Sequence, residues 1–105
     1  MTDKRLVLST TGSEEEAHRI AKALVERKLS ACVSIFPRIV SIYRWKESIE
    51  QSEEWQLWIK TTAQAFPSVR DAIKELHSYE LPECMCLMVD DGSAEYLRWT
   101  DESLR

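Results

Sequence analysis

A chain of 105 residues, 44% hydrophobic and 30% charged, has the size and balance of one globular domain around one core. Its net charge of −4, with no basic run, excludes general nucleic-acid binding, which needs a positive surface facing phosphates. No apolar stretch approaches the roughly 20 residues that cross a bilayer, and three cysteines, an odd count, argue against a disulfide framework.

The opening "MTDKRLVLST" moves straight from charged residues into a strand-like run, without a signal-peptide pattern. A cytoplasmic location is the expectation. The first strand is predicted over Leu6–Thr10. In "TGSEEEAHRIAKALVERKL", Ser13 and Glu16 have capping-box spacing, and the acidic first turn suits the helix dipole. Ala17, Ile20, Ala21, Leu24 and Val25 then mark one apolar helical face. The three glutamates thus have a sufficient structural role, and His18 is expected at the solvent edge.

The stretch from Ala31 to Thr61 reads as a long hairpin. Ala31–Phe36 is β-rich, Pro37 interrupts, Ile39–Trp45 resumes, and Lys46-Glu47-Ser48 makes a polar turn. On the return, Trp55, Leu57 and Ile59 share one face while Gln56, Trp58 and Lys60 share the other, as in a half-buried strand. Fully extended, Ala31 to Trp45 would reach roughly 50 Å, whereas a domain of this size has a radius of gyration of about 13 Å. The hairpin must therefore bend at Pro37 or leave its own sheet. An arm carrying Ile42, Tyr43, Trp45 and Ile49 needs another subunit to cover it. An oligomer is expected, with Tyr43, Trp45, Trp55 and Trp58 at its interface.

A second helix is predicted over Ala65–Leu76, with Pro67 in its first turn and Phe66, Val69, Ile73 and Leu76 as its apolar stripe. After "HSYELP", the run "ECMCLMV" reads as an inner strand covered on both faces, with Cys84 and Cys86 as small core residues; a soft-metal C-x-C pair is the alternative. Ser93 caps a last helix whose Tyr96, Leu97, Trp99 and Leu104 are candidates for packing. The order β-α-β-β-α-β plus a terminal helix predicts an α+β, ferredoxin-like split β-α-β sandwich, both main helices on one side of a four-stranded sheet. All of residues 1–105 form its single domain.

The segments "LVERKLSACVSIFP", "SIYRWKESIE", "WIKTT", "HSYELPE" and "YLRW", in that order, resemble the CutA divalent-cation-tolerance family over nearly the whole chain. The resemblance implies a homotrimer held by long hairpin arms and a likeness to the trimeric PII regulators. It also implies an association with tolerance to divalent metals, and for some members copper binding by a cysteine and two adjacent histidines. Ser9, Leu76 and His77 occupy those positions here, and "HPYE" has become "HSYE" through Ser78. Serine and leucine offer copper neither thiolate nor imidazole. His77 is left as the one metal-ligand candidate, for Cu(II) or another divalent cation, and no cofactor is required.

The bland reading of "HSYELPE" is a helix end, where a histidine suits the dipole, followed by an extended entry to the last strand. Glu83, just before an apolar run, wants a cation or backbone donors, and Lys60 is a candidate partner. The resemblance implies a pocket between subunits drawing on Lys60, Tyr79, Glu83 and Trp99, which would take a small metabolite, a metal or water. Glycine-rich phosphate loops and the HExxH metal motif are missing, so no enzyme is expected. The expected function is a non-enzymatic, metal-tolerance module. A PII-like small-molecule sensor and a scaffold that anchors another protein are the alternatives.

Overall fold

A four-stranded antiparallel sheet carries the chain, with strand order β2-β3-β1-β4. The computed structural model describes residues 1–105. Its elements are β1 (Lys4–Thr11), α1 (Glu14–Glu26), β2 (Cys32–Trp45), β3 (Ser48–Thr62), α2 (Phe66–Leu76), β4 (Met85–Met88) and α3 (Ala94–Ser103). This is the strand order a split β-α-β arrangement requires.

One sheet face and two helices make the core. Val7 of β1 and Leu57 and Ile59 of β3 pack against Ala17, Ile20, Ala21 and Leu24 of α1 and Val69, Ala72 and Ile73 of α2. The period-2 pattern of β3 holds as predicted, since Leu57 and Ile59 are fully buried and Trp58 is exposed. The Ser13 hydroxyl accepts the Glu16 amide at 3.1 Å and starts α1. Val25, expected on the apolar face, is exposed near the helix end. On the other sheet face α3 packs against β3, and the Lys4 ammonium holds it through Asp101 at 3.1 Å. Thr100 is its one buried residue, while Tyr96 and Trp99 remain exposed.

The hairpin of β2 and β3 gives the molecule its length, 44 Å against 26 and 23 Å in the other directions. Its radius of gyration of 14.2 Å exceeds the roughly 13 Å expected for this chain length. At Pro37-Arg38 the register slips, so that Phe36 pairs with Gln56 and Ile39 with Glu54. One extra residue on β2 forms a bulge, and Arg38 takes a left-handed φ of 56° to make it. Beyond the bulge Ile39, Ser41, Tyr43 and Trp45 share a face with Glu54, Ser52, Glu50 and Ser48. Val40, Ile42, Arg44 and Ile49 lie on the reverse. The tip closes through Lys46 and Glu47, both at positive φ (47° and 68°), the conformation of a two-residue type I′ turn. Ile42 is 68% and Ile49 63% exposed, so the protomer's own core covers neither.

The structure corrects the reading of the last strand. Rather than an inner strand covered on both faces, β4 is a four-residue edge strand beside β1, exposed throughout. Cys86 is exposed, and Cys84 is only partly buried against the core. An unbroken apolar run has the same appearance whether a strand is covered within one chain or left open at its edge.

Candidate functional site

The fold brings "HSYELPE" to the end of β1 and the root of the hairpin. His77 caps α2, its amide donating to the Ile73 carbonyl at 3.0 Å. Its side chain is 0% exposed. Nε2 lies 2.6 Å from the Thr10 carbonyl oxygen, and the Tyr79 amide lies 3.1 Å from Nδ1. A carbonyl only accepts and an amide N–H only donates. The ring is therefore the neutral Nε2–H tautomer with both nitrogens engaged.

Glu16 holds the next residue. Its carboxylate accepts the Ser78 amide at 2.9 Å and the Ser78 hydroxyl at 3.0 Å, with Arg19 at 3.3 Å. The capping box is thus half made, because Glu16 reaches across to the loop rather than back to Ser13. Tyr79 follows, and its hydroxyl donates to Glu54 at 2.7 Å. A Cβ at position 12 would stand 3.0 Å from that hydroxyl, so Gly12 leaves the room in which the ring sits. Burial, then the hydrogen bond to Glu54, raises the Tyr79 phenol far above its ordinary range. It stays a donor.

Between this loop and the hairpin lies a cleft of about 840 Å³. Tyr79 to Met85 form one wall, Ser41 to Trp45 of the arm the other, and Thr10 and Glu54 the floor. Glu54 is only 6% exposed and has no cation beside it. Burial, reinforced by the charge on Glu54, pushes the Glu83 carboxyl upward. Arg44 is the sole basic residue in the lining.

The four residues expected in one pocket divide into two pairs within a protomer. Tyr79 and Glu83 line the cleft, whereas Lys60 and Trp99 do not. Lys60 reaches the Ser34 hydroxyl, with Cys32 Sγ at 3.7 Å. The expected Glu83–Lys60 pair is therefore not formed inside one chain, since Lys60 lies on β3, Glu83 just before β4, and β1 runs between those strands. Trp99 stacks on Tyr96 with ring centres 5.4 Å apart.

Among the expected interface residues, Tyr43 is exposed on the arm and Trp45 stands near its tip, with Lys46 5.7 Å over its ring. Trp58 is exposed beside Phe36. Trp55 differs, because it packs on the protomer's own core with its indole N–H buried and unpartnered. It sits where the arm joins the body and faces the helices.

Sequence reasoning missed Glu16 and Glu54. A glutamate three residues after Ser13 was already accounted for by capping, and Glu54 falls on the polar phase of its strand. The one available signal for either was a carboxylate in register with a neighbouring buried position.

A family model described as the CutA1 divalent ion tolerance protein matches residues 5–103. The chain belongs to the CutA1 family. The divalent-cation tolerance protein CutA of Thermus thermophilus is 46% identical over 100 residues, covering 95% of this chain and 97% of that protein. The crystal structure of CutA from Xylella fastidiosa superposes with a TM-score of 0.97 at 38% identity, covering 99% and 100% of the two chains. A structure from Archaeoglobus fulgidus, described as a periplasmic divalent cation tolerance protein CutA, gives 0.94 at 41% identity, covering 97% and 99%.

The copper ligation that the resemblance to CutA implies does not fit the residues present. Ser9 is fully buried and its hydroxyl has no partner, and Leu76 packs on the core. His77 could ligate a metal only by giving up a hydrogen bond at one ring nitrogen. Nowhere in the protomer do three or more His, Cys, Asp or Glu side chains converge on a position where a metal would sit.

Proposed function

We propose that this CutA chain acts in divalent-cation tolerance as a non-enzymatic, cytoplasmic homotrimer, working through clefts at the roots of its arms rather than through copper held by His77. The arm carries the reading. It takes Val40, Ile42, Tyr43 and Ile49 into solvent, and such a surface is stable when another copy covers it. The division of the pocket residues supports a site completed between subunits. Neither Glu54 nor Glu83 forms an ion pair in its own protomer, where Arg44 is the one basic residue of the cleft, and Lys60 of a neighbouring copy would add a second. Two candidate nucleophiles lack activation, since Ser9 has no partner and burial raises the Cys84 thiol.

Light scattering at micromolar concentration is expected to give the mass of three chains, and a monomer mass would overturn the reading. Calorimetry with Cu(II), Zn(II) and Co(II) should give weak heats that His77→Ala does not change. Stoichiometric binding lost in that variant would restore His77 as a ligand. Cell fractionation tests the location.

A second reading, a PII-like sensor of a small metabolite, is favoured by the size and mixed lining of the cleft. Thermal-shift screening with nucleotides and metabolites tests it, since a ligand that binds only the folded state raises the melting temperature.

A further inference from the structure

We propose that Cys84 and Cys86, with the Met88 thioether beside them, form a binding site for Cu(I) on the open edge of the sheet. The observation is a row of sulfur. In "ECMCLM", positions 84, 86 and 88 all carry it, and alternation along a strand turns residues two apart to one side. Two contacts fix that side. Cys84 packs on the helix-covered core, and Cys86 stands opposite Val7, which is buried in the same core. Because β4 ends the sheet and pairs only with β1, the row runs along a free margin. Cys84 is half-buried, whereas Cys86 and Met88 are exposed, so a cation can enter from solvent.

The spacing suits a cation better than a disulfide. On extended chain, positions i and i+2 stand about 6.6 Å apart with their Cβ atoms side by side, whereas a disulfide needs Cβ atoms about 3.5–4.5 Å apart. With the Zn–S length of about 2.3 Å as a scale, a metal between two thiolates holds the sulfurs about 4.6 Å apart. Each side chain closes the difference by leaning about 1 Å toward the other.

The donor set selects the metal by softness. Thiolate and thioether favour Cu(I), whose filled d shell is satisfied by two or three such ligands, while hard cations want oxygen. A structural Zn(II) site takes four ligands, and this row supplies three sulfurs. Met88 suits the third place because its unbranched chain adapts to the position of the metal. Binding sends the two S–H protons to water and leaves copper as Cu(I), so no oxidant or reductant takes part. The resulting dithiolate complex is anionic, which the Arg70 guanidinium of α2 favours and the Glu83 carboxylate opposes. Burial, then Cys86, raises the Cys84 thiol, so Cys84 keeps its proton until a metal displaces it. Cys84 also belongs to the cleft wall, but Cys86 and Met88 lie beyond it. The site therefore stands whether or not the cleft takes a ligand.

Competition for Cu(I) against bicinchoninate, on fully reduced protein without oxygen, tests the site. The protein should withdraw one Cu(I) per chain and gain ultraviolet thiolate-to-copper absorption. Cys84 and Cys86 should then resist alkylation, as located by mass spectrometry. Cys86→Ser, a change at an exposed position, should weaken binding by about tenfold or more, at least what loss of an outer-shell partner costs a metal site. Its melting temperature should stay that of the parent. Met88→Leu should weaken binding severalfold, whereas Cys32→Ser and His77→Ala should leave it unchanged. Full affinity in Cys86→Ser, binding lost with Cys32→Ser or His77→Ala, or no copper withdrawn at all would each overturn the inference. Full affinity in Met88→Leu would overturn the part given to the thioether.

Discussion

The body and the arm of this CutA chain are built from similar residues, but only the body covers them with its own chain. In the body, Ile20, Leu24, Leu57, Ile59 and Ile73 bury one another completely. Each such side chain gains about 1.5–3 kcal/mol by leaving water. In the arm, Val40, Ile42 and Ile49 are equally apolar and lie in solvent. The body's pattern is explained by its own chain. That of the arm is not, and it is the observation on which the proposed trimer rests.

Substitutions separate the two. Ile73→Ala should have the largest effect, lowering protomer stability by about 2–5 kcal/mol in urea unfolding while the assembled mass is retained at concentrations where the protein stays folded. Trp45→Ala should do the reverse, weakening assembly by about 2 kcal/mol or more, measured by light scattering on dilution. His77→Ala should lower the unfolding midpoint without changing the mass. Equal masses and equal melting temperatures for the last two would remove the distinction between arm and body.

Glu83→Gln sharpens the comparison through pH. In the lone protomer burial, then Glu54, raises the Glu83 carboxyl, so ionisation costs the folded state more than the unfolded one. That cost is nil below the ordinary carboxylate range and grows as pH rises through the ordinary and then the raised folded value. In dissociated Trp45→Ala protein, Glu83→Gln should therefore raise the melting temperature at neutral pH and have no effect in acid. In the proposed trimer, where Lys60 of a neighbouring copy would face Glu83, the same change should lower it. The same sign in both would show that no cation arrives from a second subunit.

The smallest effect belongs to Ser9→Ala. Its buried hydroxyl makes no hydrogen bond, and removing an unsatisfied group is neutral or stabilising by about 1 kcal/mol. A loss larger than that in thermal melting would reveal a partner for Ser9.

Much of the body was legible in the sequence because period and capping act locally. Ser13 had to start a helix, and Leu57 and Ile59 had to face one way. The hairpin's overlength was legible from chain geometry. What escaped depended on distant contacts. The alternation of β3 puts Trp55 and Trp58 on opposite faces, but that the helices cover the Trp55 face, and so take Trp55 out of the expected interface set, depends on the tertiary packing. Met85–Met88 reads as interior because nothing local distinguishes a strand covered by its own chain from one left open at a sheet edge. Glu16 and Glu54 became site residues only when the loop from His77 to Tyr79 folded over them.

The irregularity at Pro37-Arg38 has an outcome for descent with modification. Removing one residue between Phe36 and Ile39 would leave Ile39 opposite Glu54 and the side chains of the arm on their present faces, but it would take away the bend and added twist that a bulge gives the ribbon. The straightened arm would meet the wall from Tyr79 to Met85 at a different angle and change the shape of the cleft between them. Length at this point should therefore be held constant among relatives that keep the cleft, even where the identities of residues 37 and 38 drift.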